Sequence, residues 1–118
     1  MDLDGEWALV SAVINGAPLP DQLVSACRRV TRERETTVFM GGKVVEKARF
    51  KLDESRAPAH IDLLVLDGRD FGKSRQGIVE RTQTELRINL ASPGKDRPTD
   101  FNTSHGDGCS LTTWRLLK

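Results

Sequence analysis

Apolar and polar residues alternate with a period of two through most of this chain, the pattern of strands with one buried face. Residues 6–14, EWALVSAVI, place Trp7, Leu9, Ser11 and Val13 on one face. Residues 43–52, KVVEKARFKL, place Val44, Glu46, Ala48, Phe50 and Leu52 on one side and Val45, Lys47, Arg49 and Lys51 on the other. The second set is mostly charged, so the first is expected to face the interior. Residues 27–40 read as two strands joined between Arg32 and Glu35, and HIDLLVL at 60–66 reads as another. KSRQGIVER and TELRINL form a further pair around Thr82–Thr84, and CSLTTWRLLK closes the chain as a strand.

The joints carry turn chemistry. Asn15-Gly16 supplies positive φ and Pro18 fixes the exit; Gly41-Gly42 makes a tight hairpin; residues 53–59, 67–72 and 102–108 are loops or turns. Asp21, following Pro20, is expected to cap a helix of one or two turns that presents Leu23 and Val24 to the core. The outcome is about eight short strands at hairpin spacing, an all-β antiparallel meander with one short helix after the first strand. A sandwich would also satisfy this pattern. Closure into an up-and-down barrel leaves no edge strand, and uniform hairpin connections favour it. Such a barrel has room inside for packed side chains or one small ligand.

With 118 residues the chain suffices for one domain, 1–118, and one core. Eighteen basic side chains face seventeen acidic ones, so no global field draws it to nucleic acid or an anionic membrane. No apolar run approaches the roughly 20 residues of a bilayer span, and MDLDGEW lacks the basic and apolar regions of a leader. The expected setting is soluble and cytoplasmic, or exported with a leader removed. Cys27 and Cys109 have neither CxxC nor metal-ligand spacing and read as free, partly buried thiols.

Several segments together resemble one family. They are the G-x-W of Gly5 to Trp7, NGAPLP at 15–20, GGKVVEKARFKLD at 41–53, IDL at 61–63, GKSRQGIVE at 72–80, and the run from Leu86 through LASPGKDRPTDF at 90–101. In order and over nearly the whole chain, they resemble a small lipocalin-like family of uncharacterised bacterial proteins known mainly from planctomycetes. The resemblance implies a lipocalin-like barrel and carries no activity. It also implies that Trp7 closes the barrel floor beneath a basic residue of the last strand, Arg115 or alternatively Lys118. Three features depart from the family pattern: the turn within 80–86 lacks Asp or Gly, Asn89 stands where a cysteine is frequent, and Trp114 is unusual in the last strand.

Candidate chemistry is sparse. His60 and His105 have no partner at a diagnostic metal spacing, Ser74, Ser92 and Ser110 lack a nucleophile context, and no nucleotide-binding glycine motif occurs. No catalytic residue, metal or cofactor is therefore assigned. Arg28, Arg29, Arg32, Arg34, Lys43, Lys47, Arg49 and Lys51 fall on adjacent strands. They read as an outer wall balanced by Glu33, Glu35 and Glu46, since aromatic interleaving for nucleic acid is missing. The candidate lumen residues are Trp7, Ser11, Glu46, Phe50, Gln76, Ile78, Glu80 and Ile88. A carboxylate among them, Glu46 or Glu80, is a possible acid, base or ligand anchor, or else pairs with arginine at the barrel mouth.

In LASPGKDRPTDF, Leu90 ends a strand and Pro93-Gly94 turns the chain. Arg97 before Pro98 restarts it extended, and Phe101 returns as an apolar plug. Arg97 is expected to pair with Asp96 or Asp100 or to bond carbonyls within the loop, making a structural corner rather than a ligand gate. Three functions remain: a module binding a small apolar or amphipathic molecule in its lumen, a barrel enzyme of isomerase or cyclase type using a lumen carboxylate, and an interaction module using the outer basic face.

Overall fold

The computed structural model describes residues 1–118. The elements are β1 (Gly5–Ile14), β2 (Ala17–Pro18), α1 (Asp21–Ala26), β3 (Cys27–Arg32), β4 (Glu35–Met40), β5 (Lys43–Asp53), β6 (Ala59–Gly68), β7 (Ser74–Arg81), β8 (Glu85–Leu90) and β9 (Ser110–Leu116). Apart from the two-residue β2, which pairs only with the end of β1, eight strands run antiparallel in the spatial order β1-β3-β4-β5-β6-β7-β8-β9. β9 pairs back onto β1, from Trp7 opposite Leu116 to Ile14 opposite Ser110, and closes the barrel. Beyond β9, Glu6 donates its amide to the Lys118 carbonyl at 2.7 Å, carrying the seam to the last residue.

The expected meander, its hairpins and the early helix are all present. The helix differs in detail. Pro20 occupies the N-cap position and Asp21 lies in the first turn without a capping hydrogen bond. Proline suits a helix entrance because its missing amide would be unpaired there. Val24 packs against the core, whereas Leu23 faces out.

Three bulges decide which residues face inward, because one extra residue reverses the facing of those beyond it. On β1 the register passes from Leu9 opposite Trp114 to Ser11 opposite Thr113, leaving Val10 as the extra residue. Trp7 and Leu9 therefore share the interior with Ala12, and Ser11 is exposed rather than lumenal. On β5 Val45 is the extra residue against β4, so Glu46, Ala48, Phe50 and Leu52 turn inward as expected while Val44 is exposed. On β6 the extra residue is Leu66.

β7 has the opposite parity to the expected one. Val79 belongs to the core, and a Cβ on Gly77 would lie 2.6 Å from the inward Leu90 side chain. The inner face is thus Arg75, Gly77, Val79 and Arg81, and Gln76, Ile78 and Glu80 face out. Gln76 is exposed and Glu80 pairs with Arg87 on the outer wall. Ile78 is buried on the outside, beside Asn89 across the ladder, under the chain that follows β8. Two inward arginines with a glycine between them hid the lumenal face, because periodicity assigns charges to solvent.

The segment 91–109 crosses the outside of the barrel as a strap. Ser92 to Lys95 form its first turn, closed by the Lys95 amide on the Ser92 carbonyl at 3.1 Å. Arg97 does not pair with Asp96 or Asp100. Its Nη1 donates to the carbonyls of Ile61 and Gly77 at 3.1 and 2.7 Å, and its Nη2 to Asp62 Oδ1 at 2.6 Å. One guanidinium so pins the strap to β6 and β7. Asn89 Nδ2 donates to the Asp100 carbonyl at 2.9 Å, and Phe101 lies 4.2 Å from the Arg87 guanidinium carbon. Phe101 is accordingly half-buried on the outside of the barrel, against Arg87. The contacts of this segment reach beyond the loop itself, to β6 and β7.

Replacing Arg97 by Ala removes three charge-assisted hydrogen bonds and is expected to cost about 2 kcal/mol. Thermal unfolding should show a fall of roughly 5–10 °C. Gly77→Ala should destabilise by a similar amount, about 2 kcal/mol, because the added methyl meets the Asn89 carbonyl oxygen at 2.5 Å inside a closed ladder. An unchanged midpoint for either variant contradicts the corresponding contact.

Candidate functional site

The lumen divides into a packed floor and an open upper part. Trp7 is fully buried at the floor, and its Nε1 donates to the Leu3 carbonyl at 3.1 Å, which draws the N-terminal segment across the barrel end. Gly5 is required there: a Cβ would come within 3.0 Å of Leu116 Cδ1 and 3.1 Å of the Lys118 carbonyl. The cation over Trp7 is Arg81 of β7, with its guanidinium carbon 5.1 Å from the ring centroid. Arg115 is exposed on the outer wall and Lys118 pairs with Glu6, so neither expected residue covers the ring. Arg81 reaches that place because it follows Val79 on the inner face; its polar end donates to the Asp2 and Thr82 carbonyls at the rim.

Phe50, Ile61, Leu63, Leu86 and Ile88 fill the level above Trp7 and leave only about 10 Å³ between them. Arg29 tops this layer. It is 6% exposed, and its guanidinium carbon lies 4.7 Å from the centroid of the buried Trp114 ring. Its Nη1 donates to Thr36 Oγ1 at 2.9 Å, and Thr36 shares a second hydrogen bond of 2.9 Å with Thr31. Its buried Nε has no hydrogen-bond partner. Burial lowers the Arg29 pKa to about 10, against an opposing effect of the nearby Glu46, and the group stays protonated at neutral pH.

Above Arg29 is a cavity of about 170 Å³, walled chiefly by Leu9, Ala12, Leu19, Val38, Leu90 and Trp114. Cys27, Ser110 and Thr112 add small polar groups, and Glu46 and Arg75 add charge. Arg75 Nη1 lies 3.8 Å from Glu46 Oε1, while its Nε and Nη2 donate to the Ala91 carbonyl and Ser110 Oγ at 2.9 and 3.1 Å. The cavity opens, past Ile14, Arg75 and Ser110, into a wider polar cleft bounded by Arg69, Asp70, Ser92 and Pro93. The first and last residues of the strap therefore border the mouth.

Of the eight residues expected in the lumen, the structure brings Trp7, Phe50, Ile88 and Glu46 there. The first three belong to the packed floor; Glu46 alone lines the open cavity. Ser11, Gln76, Ile78 and Glu80 lie elsewhere. Arg29, Arg75 and Trp114 also line the cavity, and the alternation of the sequence does not single them out. A signal for Arg29 exists, since Cys27, Arg29 and Thr31 share one face and both neighbours are buried. Arg29 consequently leaves the outer basic wall, where Lys47 and Arg49 share Glu35. No group of His, Cys, Asp and Glu residues is arranged to hold a metal ion, and no helix is long and apolar enough to cross a membrane. No family model, curated protein or solved structure matches the chain.

Both cysteines are free. Burial pushes both thiols above the ordinary value, and at Cys109 the adjacent Asp107 carboxylate adds to the rise. Since the thiolate is the reactive form, each should react more slowly than free cysteine at pH 7 with an aromatic disulfide, and faster as pH rises. Cys27, whose Sγ donates to the Leu23 carbonyl at 3.2 Å within the cavity wall, should be slower than exposed thiols even in alkaline solution. Free-cysteine rates at neutral pH would contradict this burial.

Proposed function

We propose that this chain is a lipocalin-like binding module of the bacterial family its motifs resemble, and that it holds one small apolar or amphipathic molecule in the upper lumen. The observation that carries this reading is the unequal filling of the barrel. The floor is packed to within about 10 Å³, whereas about 170 Å³ above Arg29 is lined mainly by apolar side chains and opens outward. A void that served no purpose would forfeit the packing energy that the floor collects. An apolar cavity of about 150 Å³ accommodates a benzene ring, so the body of the ligand is about one ring in size, with longer substituents extending through the mouth. The enzyme reading would now rest on Glu46, because Glu80 is outside the lumen, and Glu46 already faces Arg75. The outer basic wall is partly neutralised through Glu35 and carries the interaction reading less well.

Toluene is expected to shift the methyl resonances of Ala12, Leu19, Val38 and Leu90 in a carbon–proton NMR titration and to leave those of Leu3 and Leu63 in place. Ala12→Phe, which fills the cavity from its wall, should abolish these shifts while the protein stays folded. Absence of any shift at saturating toluene overturns the reading.

A further inference from the structure

The lumen holds more positive than negative charge, and its deepest charge has the fewest partners. Arg29, 6% exposed, makes one hydrogen bond from the guanidinium to protein, through Nη1 to Thr36, although the group carries five N–H donors. Its Nε is buried without a partner, and no carboxylate lies within salt-bridge distance of it. The face of Trp114 attracts the cation but accepts no hydrogen bond in the guanidinium plane. Arg75 is the second cation of the same cavity; two of its nitrogens are tied to Ala91 and Ser110, which fixes the fork, and Nη1 approaches Glu46 at 3.8 Å without a hydrogen bond. Two guanidiniums therefore face one carboxylate, across walls that are otherwise apolar.

An unpaired buried charge is costly, whereas a hydrophobic residue of similar volume at such a site is frequently neutral or stabilising. Nothing in the packing of the barrel calls for a cation at this depth. Its neighbours on the lumen wall, Leu9, Val38 and Leu90, would accept Met or Leu. What a cation supplies is a counter-charge for a molecule that enters the cavity. A guanidinium offers planar, paired donors that match a carboxylate, and a net excess of one positive charge in the cavity suits a monoanion.

We infer that the upper lumen is a monocarboxylate site, in which Arg29, with Arg75, receives the carboxylate of a small ring-bearing or branched acid whose apolar body packs against Leu9, Val38, Leu90 and Trp114. The inference rests on the binding reading above and narrows it to one ligand class.

Benzoate and benzamide have nearly the same shape and differ in charge, so they test the two claims separately. Titrated at pH 7 and followed by Trp fluorescence and NMR, benzoate should bind at least tenfold more tightly than benzamide. Arg29→Met should remove that preference and leave the unfolding midpoint unchanged or higher, a result that a purely structural arginine would not produce. Glu46→Gln, a conservative change that removes the competing carboxylate, should tighten benzoate several-fold with a smaller effect on benzamide. This second variant keeps the test decisive if Arg29→Met fails to fold. Equal affinities for benzoate and benzamide, with toluene still bound, overturn the monocarboxylate assignment and leave the binding reading standing. A preference for benzoate that survives Arg29→Met, or that Glu46→Gln weakens, overturns the role given to these residues. Failure of benzoate, benzamide and toluene alike overturns both.

Discussion

The stacking of Arg29 on Trp114 marks the boundary between the two parts of the lumen, because Arg29 lines both the packed level and the cavity. Below it the side chains leave about 10 Å³ unfilled; above it they leave about 170 Å³. The guanidinium lies over one face of the indole, its carbon 4.7 Å from the ring centroid. The barrel is stabilised by one half and left accessible in the other. This division explains how a chain of 118 residues, which has one modest core available, can keep an open cavity without losing its fold.

Strand number, hairpin positions and barrel closure were legible because each depends on local signals. Asn15-Gly16 and Gly41-Gly42 turn the chain through positive φ, and the β3–β4 ladder between them runs without a register shift. The facing of side chains was legible only between bulges. On β5 the inward set from Glu46 to Leu52 was read correctly because the bulge at Val45 precedes it. On β1 the same reasoning failed at Ser11, since the bulge at Val10 lies inside the apolar run and nothing in EWALVSAVI marks it. A bulge is a response to the twist required for closure, a property of the whole sheet. A short local pattern does not contain it.

The strap shows the complementary case. Its turn at Pro93-Gly94 was readable from turn chemistry, and its structural role from the framing prolines, yet its partners were not. Arg97 passes over Asp96 and Asp100 to reach Ile61, Asp62 and Gly77, which come together only once β6 and β7 have paired. Ile61 and Gly77 stand opposite each other in that ladder, so one arginine reads a strand pairing that does not exist before folding. The outward Ile78 and Asn89 are buried for the same reason, under a strap whose path depends on that contact. Asn89 holds the strap to β8, its amide donating to the Asp100 carbonyl.

Three arginines point into this barrel, and the difference between them is one of distance from the rims. Arg81, near the floor, lies over Trp7 and sends its donors to carbonyls of the N-terminal segment and the β7–β8 turn. Arg75, near the mouth, finds a carbonyl, a hydroxyl and the Glu46 carboxylate. Both sit where backbone leaves the ladder and offers unpaired carbonyl groups. Arg29 sits in the middle of β3, which is paired with β1 on one side and β4 on the other, and the acceptor it reaches is the Thr36 hydroxyl. Geometry alone thus accounts for why the central arginine is under-satisfied while the other two are not. It also accounts for the Arg29 Nε, which is buried without a protein acceptor.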